Sequence, residues 1–227
     1  IVDDEEIVVD KSIFYDWYEK DENGVPYLDN EKYAINEEKV RTYLGKIANK
    51  YNNTVVNYTT HDKQEIEITN GSLISELDID KETNQLIKDI NTQKDVKRDF
   101  IWKSKGLVNK EVDDTYVEVS IDKQHLWYYV DGKVLLESNI VSGTLNTNDT
   151  NKGAWYIISK KESTYLTGPS WKTWVDYWMP FNKDGEGLHD ASWRNKFGGN
   201  IYKTDGSHGC VNLPVEFTKE LYDVIEV

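Results

Sequence analysis

The chain has 227 residues, 38% of them hydrophobic, with 8 Trp, 15 Tyr, 5 Phe and only 4 Pro, which is enough apolar and aromatic mass for a core and excludes wholesale disorder. Acids outnumber bases 41 to 27 for a net charge of −14, spread over both halves, so nucleic acid, which demands a basic face, is excluded as a partner. No run reaches the roughly 18 apolar residues of a membrane span, no signal peptide opens the chain, and one Cys excludes an intrachain disulfide and any Cys-rich metal site.

Length suggests one large or two small domains, and six of the eight Trp fall after residue 112, which favours two. In the first half, Val40, Tyr43, Leu44, Ile47, Ala48 and Tyr51 recur at helical spacing and predict a helix over 36–52. Glu37 and Glu38 suit its N-terminal end, and Lys46 and Lys50 its C-terminal end. Glu65 to Thr69 alternates like a half-buried strand, and 80–90, with Leu86, Ile87 and Ile90, reads as a helix capped by Asp80. Residues 1–112 therefore form an α+β module whose Lys, Glu, Asp and Asn side chains read as a solvated face with no constellation that carries chemistry.

From residue 113 the period changes. Val117, Val119 and Ile121 alternate with polar residues. The run His125 to Val130 then leads into Asp131-Gly132 and Val134-Leu135-Leu136, a hairpin whose turn needs positive φ at both central positions. Further strand-like pieces lie at 154–159 and 174–181, and a late helix starts with Pro214 in its first turn and runs through Phe217, Leu221 and Ile225. Residues 113–227 read as a mostly β domain, a barrel or a sandwich.

The chemistry concentrates in Ser207-His208-Gly209-Cys210-Val211-Asn212-Leu213, which holds the only thiol, with His189 upstream in Gly187-Leu188-His189-Asp190 and seventeen residues between His189 and Ser207. A thiol near its free pKa is mostly protonated at neutral pH and needs a base or cation beside it to act as a nucleophile; His189 is the candidate. Gly209 lets the backbone approach a reacting carbonyl, with the amides of 208–210 as oxyanion donors.

The pattern His-x17-Ser-His-Gly-Cys-Val-Asn resembles the active-site signature of the L,D-transpeptidases, the YkuD-type cysteine enzymes that cross-link bacterial peptidoglycan. Gln124 to Tyr129 with Asp131-Gly132-Lys133 is similar to the opening hairpin of that domain. Ile140 to Gly143, Tyr177 to Pro180 and Gly187 to Asp190 are similar to segments of Gram-positive members, so the likeness covers about 114–227. It implies Cys210 as nucleophile, His189 as general base and acid, His208 and Gly209 shaping the oxyanion pocket, and Asp190 orienting the base by backbone or side chain. Ser207, Asn212, Tyr177 and Trp178 are expected at the substrate. Many members carry Arg where this chain has Asn212, and the chain stops at Val227, before a last barrel strand that the family leads one to expect. Residues 1–112 resemble, less specifically, the module that precedes the catalytic domain in some Gram-positive members and contacts peptidoglycan.

The implied reaction is acyl transfer from a tetrapeptide stem through a Cys210 thioester to a second stem, giving a 3→3 cross-link with no cofactor and no metal, and with carbapenems as covalent inhibitors. Water as acceptor would make the protein an L,D-carboxypeptidase, and a peptidoglycan-binding module with a vestigial site is the rival from another class. His61 in Thr59-Thr60-His61-Asp62 and His125 in a strand are expected to be structural, and the four His are too dispersed to ligate a metal. Asp184 and Glu186 could suggest a glycosidase pair, but in a chain this acidic such a pair arises by chance. Trp171, Trp174, Tyr177 and Trp178 are first of all packing residues, with a groove wall as their functional reading. The expected place is outside the cell, facing the wall and secreted or anchored; the Ile1 start fits a processed protein or an excised piece.

Overall fold

A computed structural model describes residues 5–106 and 112–227. They divide into two units, one within 1–55 and 73–110, the other within 56–72 and 111–227.

In the first unit the helix Glu37–Tyr51 buries Val40, Leu44, Ile47, Ala48 and Tyr51, the stripe visible in the sequence. Asn36 caps it by accepting from the Lys39 amide at 3.1 Å. The helix Ile79–Asn91 is capped by Asp78 rather than by Asp80. Asp78 has non-helical backbone and takes the Lys81 amide at 3.0 Å, whereas Asp80 already lies inside the helix and pairs with Arg41 at 2.6 Å. Trp17 and Leu77 complete a core with the first helix, and Leu86, Ile87 and Ile90 pack against it. Among the described residues no helix is long and apolar enough to cross a membrane.

The second unit is mostly β. Tyr116–Ser120, His125–Val130 and Lys133–Asn139 form an antiparallel sheet, and its Asp131-Gly132 turn has φ of 49° and 71°, the positive pair that the hairpin motif requires. A second sheet runs Lys161–Thr167, Lys172–Pro180, Gly187–Asp190, Val211–Leu213. Its first three strands are antiparallel, and its last pair is parallel. Leu126 and Tyr128 from one sheet meet Met179, Leu188, Val211 and Leu213 from the other in a single core, closed by Leu221 and Ile225 at the C-terminal end. The last helix is Val215–Val224. Pro214 is its cap residue, one position earlier than expected, with ψ of 141° outside the helical range, and its carbonyl accepts from the Thr218 amide.

Two expectations are corrected here. The piece at 154–159 is not a strand. Ala154 bridges Gly71, and the Ile158 amide goes to Pro180, so its backbone bonds are divided among unrelated segments. The boundary at 112 does not separate the halves cleanly either, because the hairpin Val56–Thr59 with Glu65–Ile68 belongs to the second unit. Tyr58 Oη donates to Glu118 at 2.5 Å, the His61 amide donates to the same carboxylate at 2.9 Å, and the His61 ring stacks on Trp127 at 4.2 Å and 9° with Nδ1 2.6 Å from Tyr129 Oη.

His61 is thus the clasp of the hairpin. His61→Ala removes a stacked ring and a hydrogen bond, and is expected to cost about 1–2 kcal/mol in urea unfolding and to raise iodide quenching of Trp fluorescence as Trp127 is uncovered. Unchanged quenching would show that the ring does not hold the hairpin down.

Candidate active site

His189 sits in the strand Gly187–Asp190, whose four residues are all buried. It pairs with Trp178 across the antiparallel ladder and with Asn212 across the parallel one, so the three share one face of the sheet. A side chain at Gly187 would run into the Trp178 ring, 2.5 Å from the Cβ position. The ring nitrogens of His189 are both engaged, Nδ1 at 2.7 Å from the Asp190 carbonyl and Nε2 at 3.0 Å from Asn212 Nδ2.

Arg194 settles the direction of this chain. Its Nε donates to Asn212 Oδ1 at 2.9 Å, and a guanidinium can only donate, so the amide must turn its NH2 to the ring. Nδ1 therefore carries the proton, Nε2 carries the lone pair, and Arg194 is held in turn by Asp205 at 3.2 Å. Burial pushes the imidazole pKa down to about 4, the Arg194 charge pushes the same way, and the Asp190 carbonyl opposes them. Asp190 bonds the His189 ring through its backbone carbonyl. Its buried carboxylate instead accepts the amides of Asp176 and Tyr177, both at 2.8 Å, and pins the neighbouring strand.

Cys210 ends the bend that enters the strand Val211–Leu213. Its Sγ donates to the Gly185 carbonyl at 3.8 Å. Burial pushes the thiol up to about 11, the Gly187 amide opposes this, and the Glu186 charge adds to it. No hydrogen bond joins the thiol to His189, and the two shifts run toward the neutral form of each, the thiol up and the imidazole down.

The bend itself is braced from within. Ser207 Oγ donates to the Cys210 carbonyl at 2.5 Å and accepts the Gly209 amide at 3.1 Å, while Thr150 Oγ1 donates to the Gly209 carbonyl at 2.7 Å. Two expectations change as a result. Ser207, expected at the substrate, is a buried brace, and the Gly209 amide is already bonded to it, which leaves those of His208 and Cys210 as the candidate donors for an oxyanion. Glycine is required at 209 because φ is 115° and a Cβ would lie 2.6 Å from Glu186 Oε1.

Asn212, expected at the substrate, is buried and serves the base. Trp178 lies on the site, its ring 5.9 Å from His189, but Tyr177 alternates to the other side of the strand and packs 5.0 Å from Tyr222. His208 is exposed and stacks on Trp171 at 5.2 Å and 9°. Sequence reasoning missed Trp193, whose half-exposed ring is 6.0 Å from His189, and Arg194. The available signal was a Trp-Arg pair four and five residues after the base. Among the described residues no group of His, Cys, Asp and Glu could hold a metal ion.

With this geometry established, comparison with known proteins identifies the class. The model of the YkuD L,D-transpeptidase catalytic domain matches residues 114–227. The crystal structure of a Cys-to-Ser mutant of the Enterococcus faecium L,D-transpeptidase is 32% identical with a TM-score of 0.65, over 99% of this chain and 90% of that one. The Ldtfm-avibactam carbamoyl enzyme is 33% identical with the same TM-score, over 96% and 85%. The catalytic domain of the E. faecium enzyme acylated by ertapenem is 43% identical over 52% of this chain and 94% of that one, with a TM-score of 0.47. A search of curated proteins gives no match. The chain belongs to the L,D-transpeptidase family and is an enzyme of that class.

Two pH dependences follow. Cys210 alkylation by iodoacetamide should rise with pH to a midpoint well above that of a free thiol, toward 11; a midpoint near 8.5 would contradict the burial described. His189 binds its proton more weakly folded than unfolded, so the stability it contributes is full above about 6.5 and is lost as the pH falls from there to about 4. His189→Gln should remove that part of the acid destabilisation in thermal melts recorded across the same range.

Proposed function

We propose that the protein is a peptidoglycan L,D-transpeptidase that forms 3→3 cross-links through a Cys210 thioester. The observation that carries the reading is the base that Arg194 and Asn212 prepare, with its proton on Nδ1 and its lone pair on Nε2. Cys210 leads directly into the strand that pairs with the one holding this base.

As the sulfur adds to the carbonyl between the third residue of a tetrapeptide stem and its terminal D-Ala, the thiol proton passes to His189 Nε2, replacing the bond from Asn212. The oxyanion is met by the amides of His208 and Cys210. Collapse breaks the C–N bond, and the imidazolium returns its proton to the departing amine, which leaves a thioester. The acceptor amine of a second stem then gives a proton to Nε2 as it attacks, and the thiolate leaves and takes the proton back. The substrates would lie along Trp178, Trp193 and the His208–Trp171 stack, and the chain's first unit would contact the same polymer, outside the cell. No cofactor enters the scheme.

A strained β-lactam ring presents the same electrophile to the same sulfur, so carbapenems should acylate Cys210. The avibactam carbamoyl adduct of the 33% identical relative supports covalent capture by a related site.

The decisive experiment is mass spectrometry of the protein mixed with a disaccharide-tetrapeptide. A Cys210 adduct with loss of D-Ala and a cross-linked product is expected, whereas a tripeptide product without cross-link would mean hydrolysis. Cys210→Ala should abolish adduct and product, and retained cross-linking would overturn the mechanism. His189→Ala should lose about 10²–10⁴-fold in rate and more than His208→Ala, whose ring faces Trp171; equal losses would reassign the proton transfers.

A further inference from the structure

Glu186 is a buried carboxylate to which the mechanism above gives no role. Its oxygens accept the Asn151 amide at 3.1 Å, Asn151 Nδ2 at 3.2 Å and Asn182 Nδ2 at 2.7 Å, and Oε1 fills the space where residue 209 would carry a Cβ. Its two neighbours in the chain flank the nucleophile: the Gly185 carbonyl accepts from Sγ at 3.8 Å, and the Gly187 amide pulls the thiol pKa down against the effect of burial. Burying a carboxylate is costly, and a glutamine would fill the same volume and keep one acceptor oxygen without that cost. The charge therefore calls for an explanation that packing does not supply.

We propose that Glu186 is a positioning residue for the nucleophile: wedged against Gly209 and tied to Asn151 and Asn182, it holds the 185–187 tripeptide around the sulfur and keeps a carboxylate beside it. The proposal rests on the reading of Cys210 as the nucleophile. A negative charge at this place opposes thiolate formation, in the same direction as burial. The thiol then stays protonated until it gives up its proton to His189 as the carbonyl arrives. The low thiolate fraction also slows its oxidation between turnovers.

The other ionisable groups around this corner are few. Asp184 lies two residues before Glu186 and adds to the negative field there. His189 is neutral through burial, Arg194 bonds Asn212 and Asp205 on the His189 side, and the His208 ring is turned to Trp171.

The test is the pH profile of Cys210 alkylation by iodoacetamide in the full chain. In Glu186→Gln the midpoint should fall by about one pH unit, which is roughly tenfold more thiolate near neutral pH. In Glu186→Ala it should fall likewise, and acylation by avibactam should slow because the tripeptide is no longer held. An unmoved midpoint in either variant that folds would reduce Glu186 to packing and overturn the proposal. So would a midpoint in the unsubstituted protein at or below that of a free thiol, which needs no variant. Failure of avibactam or a tetrapeptide to acylate Cys210 would overturn the functional reading instead, and it leaves the alkylation profile readable because that measurement needs only the thiol.

Discussion

The site depends on one parallel pairing. Gly187–Asp190 and Val211–Leu213 run side by side with His189 opposite Asn212, and from this register the rest follows. It sets the amide of Asn212 against the imidazole, and it places Cys210 at the entry of the second strand, beside the residues that open the first. A parallel pair needs a long connection. Here the connection is residues 191–210, and it delivers Trp193, Arg194 and the braced bend to the same place. A one-residue slip would turn His189 to the other face of the sheet, so the register of these two fully buried strands matters to the site as well as to the core.

The electrostatics favour a neutral resting pair. Cysteine hydrolases are often described as thiolate–imidazolium pairs, but here burial works against both charges, driving the thiol up and the imidazole down. Thiol and base each rest in another hydrogen bond, the thiol on Gly185 and Nε2 on Asn212. In the proposed reaction the proton transfer is therefore coupled to substrate, which excludes water and supplies an oxyanion for the amides of the bend to meet. The dipoles that serve that charge are already fixed by Ser207 and Thr150, so little reorganisation is required when it forms.

Local patterns were legible in the sequence, and relations between distant segments were not. The first helix, the Asp131-Gly132 hairpin and the His189–Cys210 constellation are written in spacings of a few residues or in a motif, because period and turn chemistry act at that range. Asn212 was visible as a site residue but not as a brace for the base, since its role depends on a guanidinium eighteen positions away in the chain. Tyr177 and Trp178 were assigned together, although adjacent strand residues face opposite ways. Glu186 is one acid among many in the sequence, and its burial and its bonds to Asn151 and Asn182 arise only in the fold.

The hairpin 56–72 extends the same lesson to the domain boundary. Its end is bound to the segment that follows Thr150: the Asn70 carbonyl accepts the Ala154 amide at 2.9 Å, Asn70 Nδ2 donates to the Lys152 carbonyl at 3.0 Å, and the Ser72 amide donates to the Ala154 carbonyl at 2.7 Å. The approach is so close that a side chain on Gly71 would meet the Ala154 oxygen at 2.1 Å. Thr150 and Asn151, at the head of this segment, hold the Gly209 carbonyl and the Glu186 carboxylate. A continuous run of hydrogen bonds thus leads from residues in the first half of the sequence to the loop that carries Cys210. The β unit carries every residue of the proposed chemistry. It nevertheless borrows from upstream the backbone that steadies its active-site bend, and no composition shift near residue 112 could reveal that loan.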